Sequence, residues 1–312
     1  MPVESRLIQT EPNVQVLVHS QYPEPNGEQA PRPARDPQVA PGRRPAACGH
    51  VVLVHGLEGS SSAGYMRSLA NSALSAGFAA HRFNLRTCGG TEHLCPTLYH
   101  AGLTSDLHAF LRQLGAPAFL VGFSLGGNIV LKLAGELADA APTLIRGVCA
   151  VSTPLDLAAC AARIAEPDNR LYEARFVRRM RARLLATGRY TKKDFAGLRS
   201  VMALDDRITA PSFGFRNGQH YYESQSALHL LSQIAVPALL IQAKDDTFIP
   251  YRIYESAAIR SNRAIKLLVT DHGGHLGFLA RGPNPFWADR AVTTWLRTLA
   301  PLIPDRVYPM SP

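Results

Sequence analysis

The chain has 312 residues, 46% of them hydrophobic, and 33 Lys and Arg against 24 Asp and Glu give a formal net charge of +9. That length and apolar content are those of a globular protein with one large α/β domain and an insertion, or two modest domains. Five cysteines, at 48, 88, 95, 149 and 160, have no C-x-x-C spacing, which argues against a disulfide framework and a zinc site; the surplus arginines are dispersed without a five-residue basic run, which argues against a nucleic-acid partner.

The opening MPVESRLIQT has no apolar stretch behind its charges, and no run of about 18 apolar residues occurs anywhere. No secretory signal or integral membrane segment is expected, and a cytoplasmic protein is. Two apolar stretches around Glu11-Pro12-Asn13 predict a hairpin within residues 1–22. Residues 23–47, rich in Pro and Gly, hold too few apolar side chains to bury and read as a flexible surface connection.

From residue 48 strand and helix alternate. HVVLVHG (50–56) is a β-branched run for a strand covered on both faces, and residues 62–76 carry helix-spaced Met66, Leu69 and Leu74. A strand over 78–85, a helix over 103–115 stopped by Gly115, a strand over 118–124, a helix over 125–137 and a strand over 144–153 follow. Such alternation predicts an α/β fold with a mainly parallel central sheet flanked by crossover helices. The rhythm stops between Pro154 and Ala235, where ARFVRRMRARLLATG places Phe176, Val177, Met180, Leu184 and Leu185 on one helical face. Residues 155–232 are therefore read as a helical cap inserted into a core of 48–154 and 233–302. Strand 236–243, helix 251–259, strand 264–270 and a closing helix 285–299 complete that core, and 303–312 are a tail.

Gly122-Phe123-Ser124-Leu125-Gly126 lies where a buried strand meets a helix, the context that makes G-x-S-x-G informative. A tight turn there lifts the Ser124 hydroxyl above the sheet and aims the Leu125 amide at the same space, as an oxyanion donor. The same residues could merely cap a helix. The earlier loop His55-Gly56-Leu57-Glu58-Gly59 offers the Leu57 amide as second donor, with Glu58 read as a solvated or helix-terminal carboxylate.

A serine nucleophile needs a histidine base and an orienting carboxylate, both later in the chain. Lys244-Asp245-Asp246-Thr247-Phe248-Ile249-Pro250 follows a strand, so one of its two aspartates can supply the acid; Asp246 is preferred because Asp-x-x-Ile-Pro resembles a superfamily pattern of acid, two variable residues, a β-branched residue and Pro, while Asp245 reads as turn chemistry. In Asp271-His272-Gly273-Gly274-His275 the glycines free His275 to project, while His272 reads as a local partner. His100 and His108 read as structural. A serine-based mechanism needs no cofactor or metal.

These motifs, with Asn84-Leu-Arg-Thr-Cys-Gly-Gly-Thr91 and Tyr99-His-Ala-Gly102, resemble the YheT-like group of α/β-hydrolases from about His50 to Leu299. The resemblance implies an α/β-hydrolase fold and a catalytic Ser124, Asp246 and His275 acting on a small-molecule ester. The group commonly has Arg-Gly where this chain has Arg86-Thr87, and its eukaryotic relatives carry a membrane anchor not seen in this sequence. A serine esterase for short to medium acyl chains is the expectation. Lipase, phospholipase or thioesterase activity, or an idle binding protein, are the alternatives. The arginines at 175, 178, 179, 181 and 183 read as a solvated face, with peripheral contact to anionic lipid as the alternative. Oligomeric state is not legible in the sequence.

Overall fold

A computed structural model describes residues 1–24, 47–281 and 285–300; most of the Pro-rich connection and the C-terminal tail thus lie outside the described residues. Eight strands form one sheet: β1 (Glu4–Glu11), β2 (Val14–Gln21), β3 (His50–Val54), β4 (Ala79–Phe83), β5 (Ala118–Phe123), β6 (Ile145–Val151), β7 (Ala238–Ala243) and β8 (Ile265–Thr270). Their order is β1-β2-β4-β3-β5-β6-β7-β8. From β4 to β8 neighbours run parallel, whereas β1 and β2 pair antiparallel and β2 joins β4 antiparallel. Asn13, at φ 62°, makes the turn between β1 and β2.

The α-helices in chain order are α1 (Gly64–Ser75), α2 (Ser105–Leu114), α3 (Leu125–Leu137), α4 (Leu157–Ile164), α5 (Arg170–Ala186), α6 (Val201–Leu204), α7 (Ala210–Ser212), α8 (Gly218–Gln225), α9 (Ala257–Ser261) and α10 (Trp287–Leu299). Strands β5 and β7 are buried along their whole length, so their apolar runs need a cover on each face. One cover is α1 with α10, where Met66, Leu69 and Leu296 meet Leu53 and Val121; the other is α2, α3 and α9. Helices α4 to α8 all lie between β6 and β7, and Val177, Met180, Leu184, Phe195 and Leu204 gather there into a separate apolar cluster.

One predicted element is corrected. Residues 251–259 do not form a single helix: a 3-10 turn, Tyr251–Glu255, is followed by α9. The Ser256 hydroxyl accepts from the Ala258 amide and caps a new helix there, the local bond by which serine competes with an uninterrupted one.

Strand β3 has β4 on one side and β5 on the other, so the chain reverses its winding between β3 and β5. Ligands of open α/β sheets bind outside the carboxyl ends of strands at such a point. Val54 pairs with Gly122 across it, which sets the loop after β3 beside the loop after β5.

Candidate active site

Ser124 occupies the single residue between β5 and α3, at φ 51° and ψ −124°. A positive φ costs a non-glycine residue of order 1–3 kcal/mol, held here by the surrounding bonds. The Ser124 amide donates to the Val151 carbonyl at 2.8 Å, and its own carbonyl accepts from the Gly127 amide at 2.8 Å. The turn leaves no space beside it: a Cβ at Gly122 would sit 2.3 Å from the Gly126 oxygen, and one at Gly126 2.3 Å from the Val54 oxygen. Both contacts are with backbone that cannot swing aside, which is the physical reason for the paired glycines.

The hydroxyl opens onto a relay. Ser124 Oγ lies 2.9 Å from His275 Nε2. His275 Nδ1 lies 2.9 Å from Asp246 Oδ2 and 3.2 Å from Oδ1. Asp246 Oδ1 also accepts from the amides of Phe248 (2.9 Å) and Ile249 (3.2 Å), and Oδ2 from Gln242 Nε2 (3.3 Å). The Asp246 side chain is 0% exposed and that of His275 16%, so the carboxylate is dry while the imidazole reaches the pocket. The Phe248 ring stands edge-on to His275, centroids 4.9 Å apart. Asp245 and His272 instead face one another on the surface, 3.4 Å apart with His272 92% exposed. Gln242 and Phe248, which buttress the relay, carried no signal in the sequence.

Leu57 and Leu125 both line the pocket that holds Ser124 and His275. Amides on either side of Leu57 are engaged: Gly56 donates to Tyr65 Oη at 3.1 Å and Glu58 to Tyr99 Oη at 3.0 Å. Those of Leu57 and Leu125 themselves have no hydrogen-bond partner among the described residues. Donors left open at the mouth of a strand and the start of a helix suit a developing negative charge.

Glu58 is not the solvated carboxylate expected. It is buried, at φ 54°, and both its oxygens accept from Arg183 Nε, at 2.8 and 3.0 Å. Tyr99 Oη donates to Glu58 Oε1 at 3.0 Å, and the Arg183 guanidinium lies 4.6 Å from the Tyr99 ring centre. The arginine-rich α5 is therefore not a uniformly solvated face. Arg175, Arg178 and Arg179 are exposed, yet Arg179 Nη2 reaches the Glu58 carbonyl at 2.6 Å, Arg181 bonds the Leu198 carbonyl, and Arg183 pairs with Glu58. Arg183 Nη1 also donates to Thr87 Oγ1 at 2.8 Å. Thr87 stands at φ 58°, a conformation glycine takes without cost, so this bond gives a reason for threonine where the group has glycine.

The pocket encloses about 90 Å³ between the sheet edge and α4 to α8. Phe176, Met180, Ile164 and Val201 supply apolar wall; Tyr99, His100, Asp205 and Tyr222 supply polar wall. His100 is buried among Phe213, Phe215 and Tyr221, and desolvation pushes its pKa down to about 3. Burial likewise lowers His55 to about 4, with Nδ1 held by the Gly56 carbonyl at 2.8 Å. Burial raises Asp205 to about 6. His108, half-buried on α2, lies outside this pocket. Among the described residues no three His, Cys, Asp or Glu side chains converge to hold a metal ion, and no helix is long and apolar enough to cross a membrane.

These shifts set the acid stability. Between pH 6.5 and their folded values of about 4 and about 3, His55 and His100 bind protons in the unfolded chain but not in the folded one, so stability falls as pH falls. Asp205, raised to about 6, takes its proton first in the folded chain and works the other way. His19, lowered by burial, and Asp289, raised by burial, add smaller effects of opposite sign. Two histidines against one aspartate leave a net loss of about 2 kcal/mol from pH 7 to pH 5. The urea midpoint is expected to drop accordingly, and a midpoint unchanged over that range would refute the assignment.

A sequence profile described as the alpha/beta hydrolase fold matches residues 49–281, and the chain belongs to this esterase- and lipase-type hydrolase family. YheT of Escherichia coli (strain K12) is 31% identical over 262 residues, covering 80% of this chain and 76% of that protein, which places the chain in the YheT-like group. Embryogenesis-associated protein EMB8 of Picea glauca is 30% identical over 292 residues, 86% of this chain and 62% of that one. A monoacylglycerol lipase of Saccharomyces cerevisiae is 28% identical over 265 residues, covering 79% and 58%. The chain thus spans less than two thirds of the last two. Among solved structures, esterase Pf2001 of Pyrococcus furiosus superimposes with a TM-score of 0.60 at 18% identity, over 96% of this chain and 94% of that one, a likeness of fold.

Proposed function

We propose that the chain hydrolyses carboxylic esters of short to medium acyl chain through an acyl-enzyme on Ser124. The observation that carries this reading is the unbroken run Ser124 Oγ, His275, Asp246, with links of 2.9 Å each, opening into a largely apolar pocket. Ser124 Oγ attacks the acyl carbon while His275 Nε2 takes its proton, and Asp246 stabilises the imidazolium at Nδ1. The amides of Leu57 and Leu125 hold the oxyanion. His275 then protonates the leaving alcohol, and water, deprotonated by His275, attacks the acyl carbon and releases the acid. Residues 155–232 act as the cap that shuts water from the acyl arm and sets its length.

A fluorophosphonate probe is expected to label the wild type and not Ser124→Ala, and p-nitrophenyl butyrate turnover is expected to vanish with the label. A chain that neither takes the label nor turns over any ester of a C2 to C12 series is a binding protein on this fold, and the proposal fails.

A further inference from the structure

The inner pocket carries a feature that simple alkyl esters leave unused. Asp205 opens a π-helical turn, Asp205–Thr209, in the cap, a form that recurs at functional sites. Asp205 is 8% exposed and lines the pocket of Ser124. Thr209 Oγ1 donates to Oδ1 at 2.8 Å and Tyr222 Oη to Oδ2 at 2.7 Å. No cation hydrogen-bonds to it among the described residues, and a carboxylate offers about four acceptor positions, so two neutral donors leave it short of partners. Such a group is costly to bury and calls for a further donor.

His100 supplies the complementary half. It is 7% exposed, and its Nδ1 accepts from the Gly102 amide at 3.2 Å, which assigns the ring proton to Nε2. Nε2 has no partner among the described residues, and the ring lines the same pocket. Both groups stand by α8: His100 packs edge-on to Tyr221, and the next residue, Tyr222, holds Asp205.

Resting on the ester hydrolase reading, we propose that Asp205 and His100 form a subsite for a hydroxyl on the apolar arm of the substrate, so that hydroxy-substituted esters are preferred over plain alkyl esters. Of hydroxyl, ammonium and carboxylate, the hydroxyl is the one that both donates, as the Asp205 carboxylate requires, and accepts, as the His100 N–H requires. An ammonium could meet Asp205 but has nothing to accept the His100 proton, and a carboxylate would face Asp205 as a like charge. The carbon arm between ester and hydroxyl packs on Phe176, Met180 and Val201.

The test compares kcat/KM for methyl ω-hydroxyalkanoates of four to ten carbons with methyl alkanoates, ω-amino and ω-carboxy esters of equal length. At one chain length the hydroxy ester is expected to exceed the alkyl ester by on the order of tenfold or more, because a site with buried polar groups discriminates against a substrate that leaves them unpaired. Asp205→Asn and His100→Phe should each bring that ratio toward about one. A wild-type ratio of one or less at every length overturns the inference without recourse to a variant, as does a preference for the amino ester or a ratio untouched in a folded Asp205→Asn. Turnover of alkyl esters with no hydroxy preference defeats this subsite alone; no ester turnover at all defeats the hydrolase reading as well.

Discussion

Asp246→Asn is expected to lower kcat by on the order of 10⁴ while the protein stays folded. The bonds around the carboxylate dictate how the amide must sit. Phe248 and Ile249 amides both donate to Oδ1, so the asparagine oxygen stays there and its NH₂ takes the place of Oδ2, facing His275 Nδ1 at 2.9 Å. A donor at that point forces His275 into the tautomer with its proton on Nε2. That nitrogen then cannot accept the proton of Ser124 Oγ. Stability suffers less than activity, because the asparagine oxygen keeps both backbone bonds and Gln242 Nε2 keeps its bond to the Ala243 carbonyl at 2.9 Å. Asp245→Asn provides the contrast: Asp245 Oδ1 accepts from the Gly274 amide at 2.8 Å on the surface, a bond the amide oxygen reproduces, and kcat should stay within about threefold. Single-turnover acylation rates for the two variants, with circular dichroism to show folding, decide the matter. Equal losses would remove Asp246 from its proposed role.

How much of this could be read from residues in order depends on how far apart the partners lie. The α/β class was legible because alternating strand and helix is a local pattern, and α3 begins and ends where the spacing put it, at Leu125 and Leu137. Ser124 could be singled out because the glycines that permit its turn lie two residues away on either side. The strand order, with β4 and β5 flanking β3, has no local trace. The choice of Asp246 over Asp245 and His275 over His272 rested on neighbours in sequence, and only the three-dimensional arrangement sets one pair against Ser124 and the other against solvent. Glu58 is hidden for the same reason: its partner stands 125 positions later, in a helix whose six arginines look alike until burial separates them. Asp205 gave no signal, since nothing in Leu204-Asp205-Asp206 tells that one carboxylate turns into a cavity and the other away.

Arg183→Met is expected to cost about 3–5 kcal/mol of stability, because it leaves the Glu58 carboxylate buried with Tyr99 as its remaining side-chain donor. Most of that cost is the penalty of an unpaired charge, so the double variant Glu58→Gln with Arg183→Met should recover a large part of it. The side chains of Arg183 and Glu58 are 9% and 3% exposed, which puts the pair beyond the screening that makes surface ion pairs nearly worthless. The effect should reach the chemistry too. Glu58 follows Leu57, and the pair, with the Arg179 bond to the Glu58 carbonyl, ties the loop after β3 to α5. Releasing that tie lets the Leu57 amide drift from the oxyanion, and loss of one such donor lowers kcat on the order of 10²-fold or more. A merely structural pair would lower the urea midpoint and leave kcat of the folded fraction alone. A fall in kcat with KM nearly constant in Arg183→Met, measured well below its unfolding transition, separates the two. Arg183→Lys restores charge without the planar guanidinium whose Nε meets both Glu58 oxygens and whose Nη1 meets Thr87, so it should recover stability more fully than kcat.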